Sequence, residues 1–211
     1  RDRSWVAPSD DGGRDVTDYV VQYSTNGTSW STFNDGTSAA TSATVTGLTR
    51  GSSYYFQVAA VTPEGTSDYL QLTGSVIPAV VSSAPRTLAL TSKSSTSLSL
   101  SWVAPSDDGG REVTDYTVEY STNGASWTLF NDGVSTETSA TVTGLTRGIS
   151  YQVRVKAVNA EGVSPAALLS SLIPAVRSSA VSNVVVSSKS ASAVSLSWVA
   201  PSDDGGRDVT D

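Results

Sequence analysis

Four carboxylates crowd together at Asp107, Asp108, Glu112 and Asp115, and an earlier stretch repeats the pattern with Asp10, Asp11, Asp15 and Asp18. Carboxylate oxygens at short spacing are what a hard cation such as calcium takes. The surrounding "SDDGG" does not alternate oxygen ligands ahead of one glycine, as a helix-loop-helix calcium loop does. It also makes a good turn on its own terms, with aspartate bonding local backbone and glycine taking positive φ. The turn is the expected reading, and neither metal nor cofactor is expected. Nucleophilic chemistry lacks a base: there are many serines, but no histidine and no cysteine. The three lysines, Lys93, Lys156 and Lys189, each fall on a solvent face or in a loop. No enzyme is expected. Trp30 and Trp127 follow Asn-Gly turns on short strands, where an indole could stack on sugar or peptide. An indole there could equally lie flat over its own sheet. Asn26-Gly27-Thr28 is formally a glycosylation acceptor, but the second copy reads Asn123-Gly124-Ala125, so the asparagine is read as turn-forming.

The charge balance narrows the partners. Thirteen Lys and Arg stand against twenty Asp and Glu, a net charge of -7. Such a surface offers no footprint for nucleic acid or anionic lipid. No apolar run approaches the roughly 20 residues of a membrane helix, so no membrane insertion is expected in this stretch. Without cysteine there is no disulfide, and each domain must be held by its apolar core.

What must position these residues is a repeat. Residues 4–18, "SWVAPSDDGGRDVTD", return unchanged at 197–211, and a near copy occupies 101–115. Trp5, Trp102 and Trp198 are spaced 97 and 96 residues apart. Between 4–50 and 101–147 only nine of 47 positions differ. That period is too long for a small solenoid unit and suits a domain with its own core. The expected division is 1–83, a repeat lacking its first strand; 84–180, a complete repeat; and 181–211, the start of a third. The chain therefore reads as a stretch of a longer array.

Each repeat reads as all-β. "STSLSLSW" (95–102) alternates, with Leu98, Leu100 and Trp102 on one face. "DYTVEYS" does so with Tyr116, Val118 and Tyr120, and "YQVRVKA" with Tyr151, Val153, Val155 and Ala157, leaving Gln152, Arg154 and Lys156 to water. Shorter runs are 87–90, 126–130 and 139–145. Asn123-Gly124 signals a tight hairpin turn with positive φ at both central residues. Seven short strands in under a hundred residues predict a two-sheet sandwich.

Trp102 on the second strand, "APSDDGG", "TDYTVEY" and "GLTRGISYQVRVKAVNAEGVSP" together resemble a fibronectin type III domain, of the sort found in tandem in bacterial secreted and surface proteins. The resemblance covers essentially the whole chain. It implies an immunoglobulin-like sandwich with Trp5, Trp102 and Trp198 in the cores. It further implies a tyrosine corner built from Leu145, Gly148 and Tyr151, and earlier from Leu48, Gly51 and Tyr54. Localisation at the cell surface or outside the cell is implied, as is a structural stalk or filament segment. Its partners would be neighbouring repeats and other copies of the same chain. The alternatives are an adhesin that binds glycan or protein through its loops, and a spacer in a secreted polysaccharide-degrading enzyme. Tracing such a sandwich puts "PSDDGG" at the N-terminal pole and "LTRG" at the C-terminal pole. Across the glycine-free linkers 77–85 and 173–181, Arg50 is thereby expected near Asp107 and Asp108, and Arg147 near Asp203 and Asp204.

Overall fold

The computed structural model describes residues 3–207. They contain strands, turns and loops, with no helix among the described residues. Two compact units emerge, Arg1–Val80 and Val81–Asp211. The first holds β1 (Arg3–Ser4), β2 (Asp18–Ser24), β3 (Ser31–Phe33), β4 (Ser42–Ala43), β5 (Tyr55–Thr62), β6 (Gly65–Thr66) and β7 (Leu70–Gln71). The second holds β8 (Arg86–Lys93), β9 (Leu98–Val103), β10 (Asp115–Ser121), β11 (Thr128–Phe130), β12 (Ser139–Val142), β13 (Tyr151–Asn159), β14 (Gly162–Val163), β15 (Ala167–Leu172), β16 (Ser182–Lys189) and β17 (Val194–Val199). The segment expected to open a third repeat thus stays in one unit with the repeat before it.

In the second unit, a three-stranded sheet (β12-β9-β8) faces a five-stranded one (β11-β10-β13-β14, with β15 also on β13). The strict alternation of the sequence explains which faces meet. Leu98 and Leu100 of β9, Val118 of β10, Val142 of β12, and Val153 and Val155 of β13 are essentially sealed from water. Each such side chain contributes about 1.5–3 kcal/mol on burial. Trp102 closes one end of this core, its ring edge-on to Tyr116 at 5.4 Å. Tyr151 closes the other, its hydroxyl accepting the Thr146 N–H at 3.0 Å beside buried Leu145. Tyr54 accepts from Thr49 N–H at the same distance in the first unit.

Two local features depart from the expected pattern. The connection between β10 and β11 is not a two-residue turn. Only Gly124 takes positive φ; Asn123 does not. Ser121 Oγ accepts the N–H of Asn123 and Gly124, and Asn123 Oδ1 accepts those of Ala125 and Ser126. Side-chain acceptors thereby build a longer loop that the dipeptide alone does not specify. In β8, Thr87 has φ 52°, where the register against β9 slips between Arg86 and Ala89. This is a β-bulge, and it bends an edge strand away from flat pairing.

The first unit repeats the larger sheet as β3-β2-β5-β6 with β7 on β5, but among the described residues the other strands of this unit are the two-residue pair β1-β4. Tyr19, Val21 and Tyr54 are buried, whereas Trp5 and Leu48, expected in the core, are only half-buried. The facing sheet is too short to cover them. A cavity of about 560 Å³ opens beside Trp5, Val21, Val45, Phe56 and Val58. Trp198, also expected in a core, is 59% exposed. It lies on β17, which among the described residues pairs with β16 alone, and no second sheet of those residues covers the hairpin.

Candidate functional site

The junction in the second unit is built from the linker after β15 and the aspartate-glycine loop after β17. Pro174 and Ala175 are buried, and the Pro174 carbonyl accepts the Gly148 N–H at 3.0 Å, which fastens the linker to the complete sandwich. Two residues on, Val176 N–H donates to the Gly205 carbonyl at 2.9 Å, and Ser179 N–H donates to the Asp203 carbonyl at 2.8 Å. Asp203 N–H returns to Ser179 Oγ at 3.2 Å. One short peptide is thus bonded to a sandwich on one side and to the next repeat's loop on the other.

The loop presents its carbonyls because its own side chains hold it. Asp203 Oδ1 accepts Gly205 N–H at 2.8 Å, and Asp204 Oδ1 accepts Gly206 N–H at 2.7 Å. Gly205 and Gly206 take φ of 77° and 88°, a region that suits glycine. Glycine is also required for space. A Cβ on Gly205 would overlap the Val176 carbonyl, and one on Gly206 would stand 2.6 Å from Arg147 Cγ. Over this close backbone approach lies Arg147. Its Nη1 donates to Asp203 Oδ2 at 2.9 Å, its Nη2 donates to Asp203 Oδ1, and Nη2 stands 3.5 Å from Asp204 Oδ1. A two-pronged guanidinium-carboxylate contact fixes orientation as well as distance. Its partners are a third to a half exposed, so its strength is about 0.2–1 kcal/mol and falls with salt.

The same parts recur at the other linker. Gly51 N–H donates to the Pro78 carbonyl at 2.9 Å within the first unit. Within the second, Ser83 N–H donates to the Asp107 carbonyl at 2.8 Å, and Asp107 and Asp108 accept Gly109 and Gly110 N–H. Arg50 belongs to the first unit, and Asp107 and Asp108 belong to the second. The acidic stretches serve these turns: Asp10 and Asp11 hold Gly12 and Gly13 N–H, and Asp115 Oδ1 holds Ser135 N–H. Among the described residues no three acidic groups converge as metal ligands would.

A second cluster lies on the outer face of β10 and β13. Glu119 accepts from Arg154 at 2.7 and 3.0 Å and pairs with Lys156 Nζ at 2.7 Å. The Arg154 guanidinium sits 4.2 Å above the Trp127 ring, whose N–H donates to the Gly124 carbonyl at 3.2 Å. The bond from Arg154 holds the Glu119 carboxyl down at about 2; Lys156 adds to this, and burial opposes it. Arg154 and Lys156, expected to face water, are half-buried here, and one face of the Trp127 indole is taken. In the first unit Gln22 and Gln57 hold the positions of Glu119 and Arg154 and join through their amides at 2.8 Å; Trp30 there is half-buried. Sequence patterning placed these glycines in turns, but it missed the linker backbone bonds of Val176 and Ser179 and the close backbone approach that Gly205 and Gly206 permit.

Comparison with known proteins agrees with this geometry. The fibronectin type III domain model matches residues 3–73 and 83–171. A titin homolog of Caenorhabditis elegans is 32% identical over 169 residues, 75% of this chain and 1% of that protein. Chitinase A1 of Niallia circulans is 34% identical over 166 residues, 75% of this chain and 21% of that protein. The chain therefore spans a small part of the relatives it matches. The crystal structure of titin domains A168-A170 superposes with a TM-score of 0.50 at 27% identity, covering 73% of this chain and 55% of that one. Domains of this type are non-catalytic, though they occur within enzymes such as chitinase. On a match that spans most of its residues, the chain belongs to the fibronectin type III family.

Proposed function

We propose that the chain is a non-enzymatic segment of a tandem array, outside the cell or on its surface, whose task is to hold other parts apart at a controlled orientation. Its partners on this reading are neighbouring repeats and further copies of itself. The observation that supports it is the junction: a linker without glycine, bonded through its backbone on both sides and covered by Arg147 on Asp203. A flexible tether would leave these groups to water. Repetition of near-identical domains, despite their tendency to misassemble while folding, also favours length as the useful property. Small-angle scattering tests it, comparing the wild-type chain with Arg50→Glu/Arg147→Glu. The variant should show a broader spread of interdomain distances at low salt, and wild type should drift toward it as salt rises. Identical profiles throughout would sink the proposed stiffening.

The likeness to a chitinase supports a second reading, a spacer in a secreted polysaccharide-degrading enzyme of bacterial origin. The full reading frame separates the two. Many further copies favour the stalk, and one or two beside a catalytic domain favour the spacer.

A further inference from the structure

Four side chains stand in one register across the outer face of the larger sheet in the second unit. They are Leu129 on β11, Glu119 on β10, Arg154 on β13 and Leu168 on β15. Their strand neighbours Val118, Phe130, Val153 and Leu169 pack into the core, so these four point away from it. Leu129 is 60% exposed and Leu168 57%, and between them Glu119 pairs with Arg154, whose guanidinium is held over Trp127. The same row in the first unit is Thr32, Gln22, Gln57 and Gln71, polar throughout and tied by side-chain hydrogen bonds. Only nine of 47 positions differ between 4–50 and 101–147, and Gln22/Glu119 and Thr32/Leu129 are two of them. The second unit thus carries a charged centre with apolar flanks where the first carries amides.

The order apolar, acidic, basic, apolar is complementary to itself when reversed. The strands follow the same rule: the outward carboxylates Asp115 and Glu119 are both on β10, and the outward cations Arg154 and Lys156 are both on β13. We propose that this face binds the same face of a second copy, about a two-fold axis that runs along the strands. That operation lays β10 of each copy over β13 of the other, so Glu119 meets Arg154 and Leu129 meets Leu168. An axis across the strands would instead set β10 on β10 and Glu119 on Glu119, which like charges reject. Aligned sheets packed face to face are a familiar arrangement within sandwiches. Arg154 already rests on Trp127, so docking costs it little side-chain freedom. Such a contact is isologous and closes at two copies. Strand spacing and rise give the four-strand face about 400 Å² per copy, roughly half of a standard interface, so one contact alone is weak. Repeated along aligned arrays, weak contacts reinforce one another through effective concentration. The proposal rests on the reading of further copies as partners and names the face they use, but it involves neither Arg147 nor the linkers.

Sedimentation equilibrium of the full chain, from about 10 μM to 1 mM, spans the range expected of so small an interface. The mass of the wild type should rise toward that of a dimer. Leu129→Thr/Leu168→Gln installs the residue types of the first unit on an exposed surface, leaves the ion pair in place, and should weaken association about tenfold or more. Glu119→Arg and Arg154→Glu should each abolish it, because each homodimer then opposes like charges. Their equimolar mixture should restore it, since every cross-copy pair is again opposite in sign. A role confined to folding would not produce that recovery, and thermal melting of each variant alone confirms that it is folded. A wild type that stays monomeric at every concentration overturns the proposal, and leaves the stiffening to be judged separately by scattering. Association undiminished in Leu129→Thr/Leu168→Gln also overturns it, as does a mixture no stronger than its two components.

Discussion

Trp102 and Trp198 occupy the same position in successive repeats, within the same "SWVAPSDDGG", yet one is 5% exposed and the other 59%. The difference lies in what faces them. Trp102 meets Tyr116 across two sheets, whereas Trp198 lies on a lone hairpin. Trp102→Ala should cost the second unit about 3–5 kcal/mol, as deletion of a buried aromatic does. Trp198→Ala in dilute protein should change it by under about 0.5 kcal/mol. Hydrogen exchange at the Val118 and Val155 amides in rising denaturant reads both. Equal effects would show that the two indoles share one environment.

Acid should reach Glu119 late. Its folded pKa, about 2, lies below the ordinary value of 4.5, so its contribution is full above about 4.5 and is lost as pH falls toward 2. Solvent screening on this outer face reduces the effect to about 1–2 kcal/mol. Glu119→Gln, the residue type found at Gln22 in the first unit, should remove that part of the acid dependence. Stability curves from pH 5 to 2 that stay parallel in wild type and variant would contradict it.

Thr87 is a β-branched residue held at φ 52°, with its side chain exposed. Asn183 takes the same φ at the matching place in β16. Left-handed backbone costs most residues about 1–2 kcal/mol, and asparagine less. Thr87→Asn should therefore stabilise the second unit by up to about 1 kcal/mol, visible as a raised denaturation midpoint. A lowered midpoint would mean that the threonine hydroxyl or methyl holds the bulge.

Gly205 carries the junction more firmly than Arg147 does. A methyl group there meets the Val176 carbonyl and is strained at φ 77°, so Gly205→Ala should undock the loop. Arg147→Ala removes only an exposed ion pair. Exchange of the Val176 and Ser179 amides should accelerate strongly in the first variant and slightly in the second. The reverse order would make the guanidinium, not the backbone approach, the main attachment.

How far the sequence could be read depended on whether a feature is periodic or positional. Alternation places Leu98, Leu100, Val118, Val153 and Val155 in the core because a two-residue period is intrinsic to a strand. The Thr87 bulge leaves no such trace, since threonine is a good strand residue and nothing in "RTLAL" marks a slip. Asn123-Gly124 suggested a tighter turn than the one formed, because Ser121 competes for the same backbone N–H groups. Arg154 and Lys156 looked like solvent-facing positions, but alternation cannot reveal that Trp127 and Glu119 cover that face. Trp198 was placed in a core by likeness to Trp102, although its burial depends on strands that do not pack on it here.

The backbone bonds at 173–181 also have a mechanical meaning. A pull along the chain passes from β15 through this peptide into β16, and the Val176–Gly205 and Ser179–Asp203 bonds, which brace the peptide against the aspartate-glycine loop, must open before the peptide can straighten. Each is worth about 0.5–1.5 kcal/mol, and a folded domain about 5–15 kcal/mol. Tension therefore opens the clasp before it opens a core, releasing a little length that returns when the load falls. Repeated along an array, such clasps would give a tether with elastic reserve ahead of any unfolding.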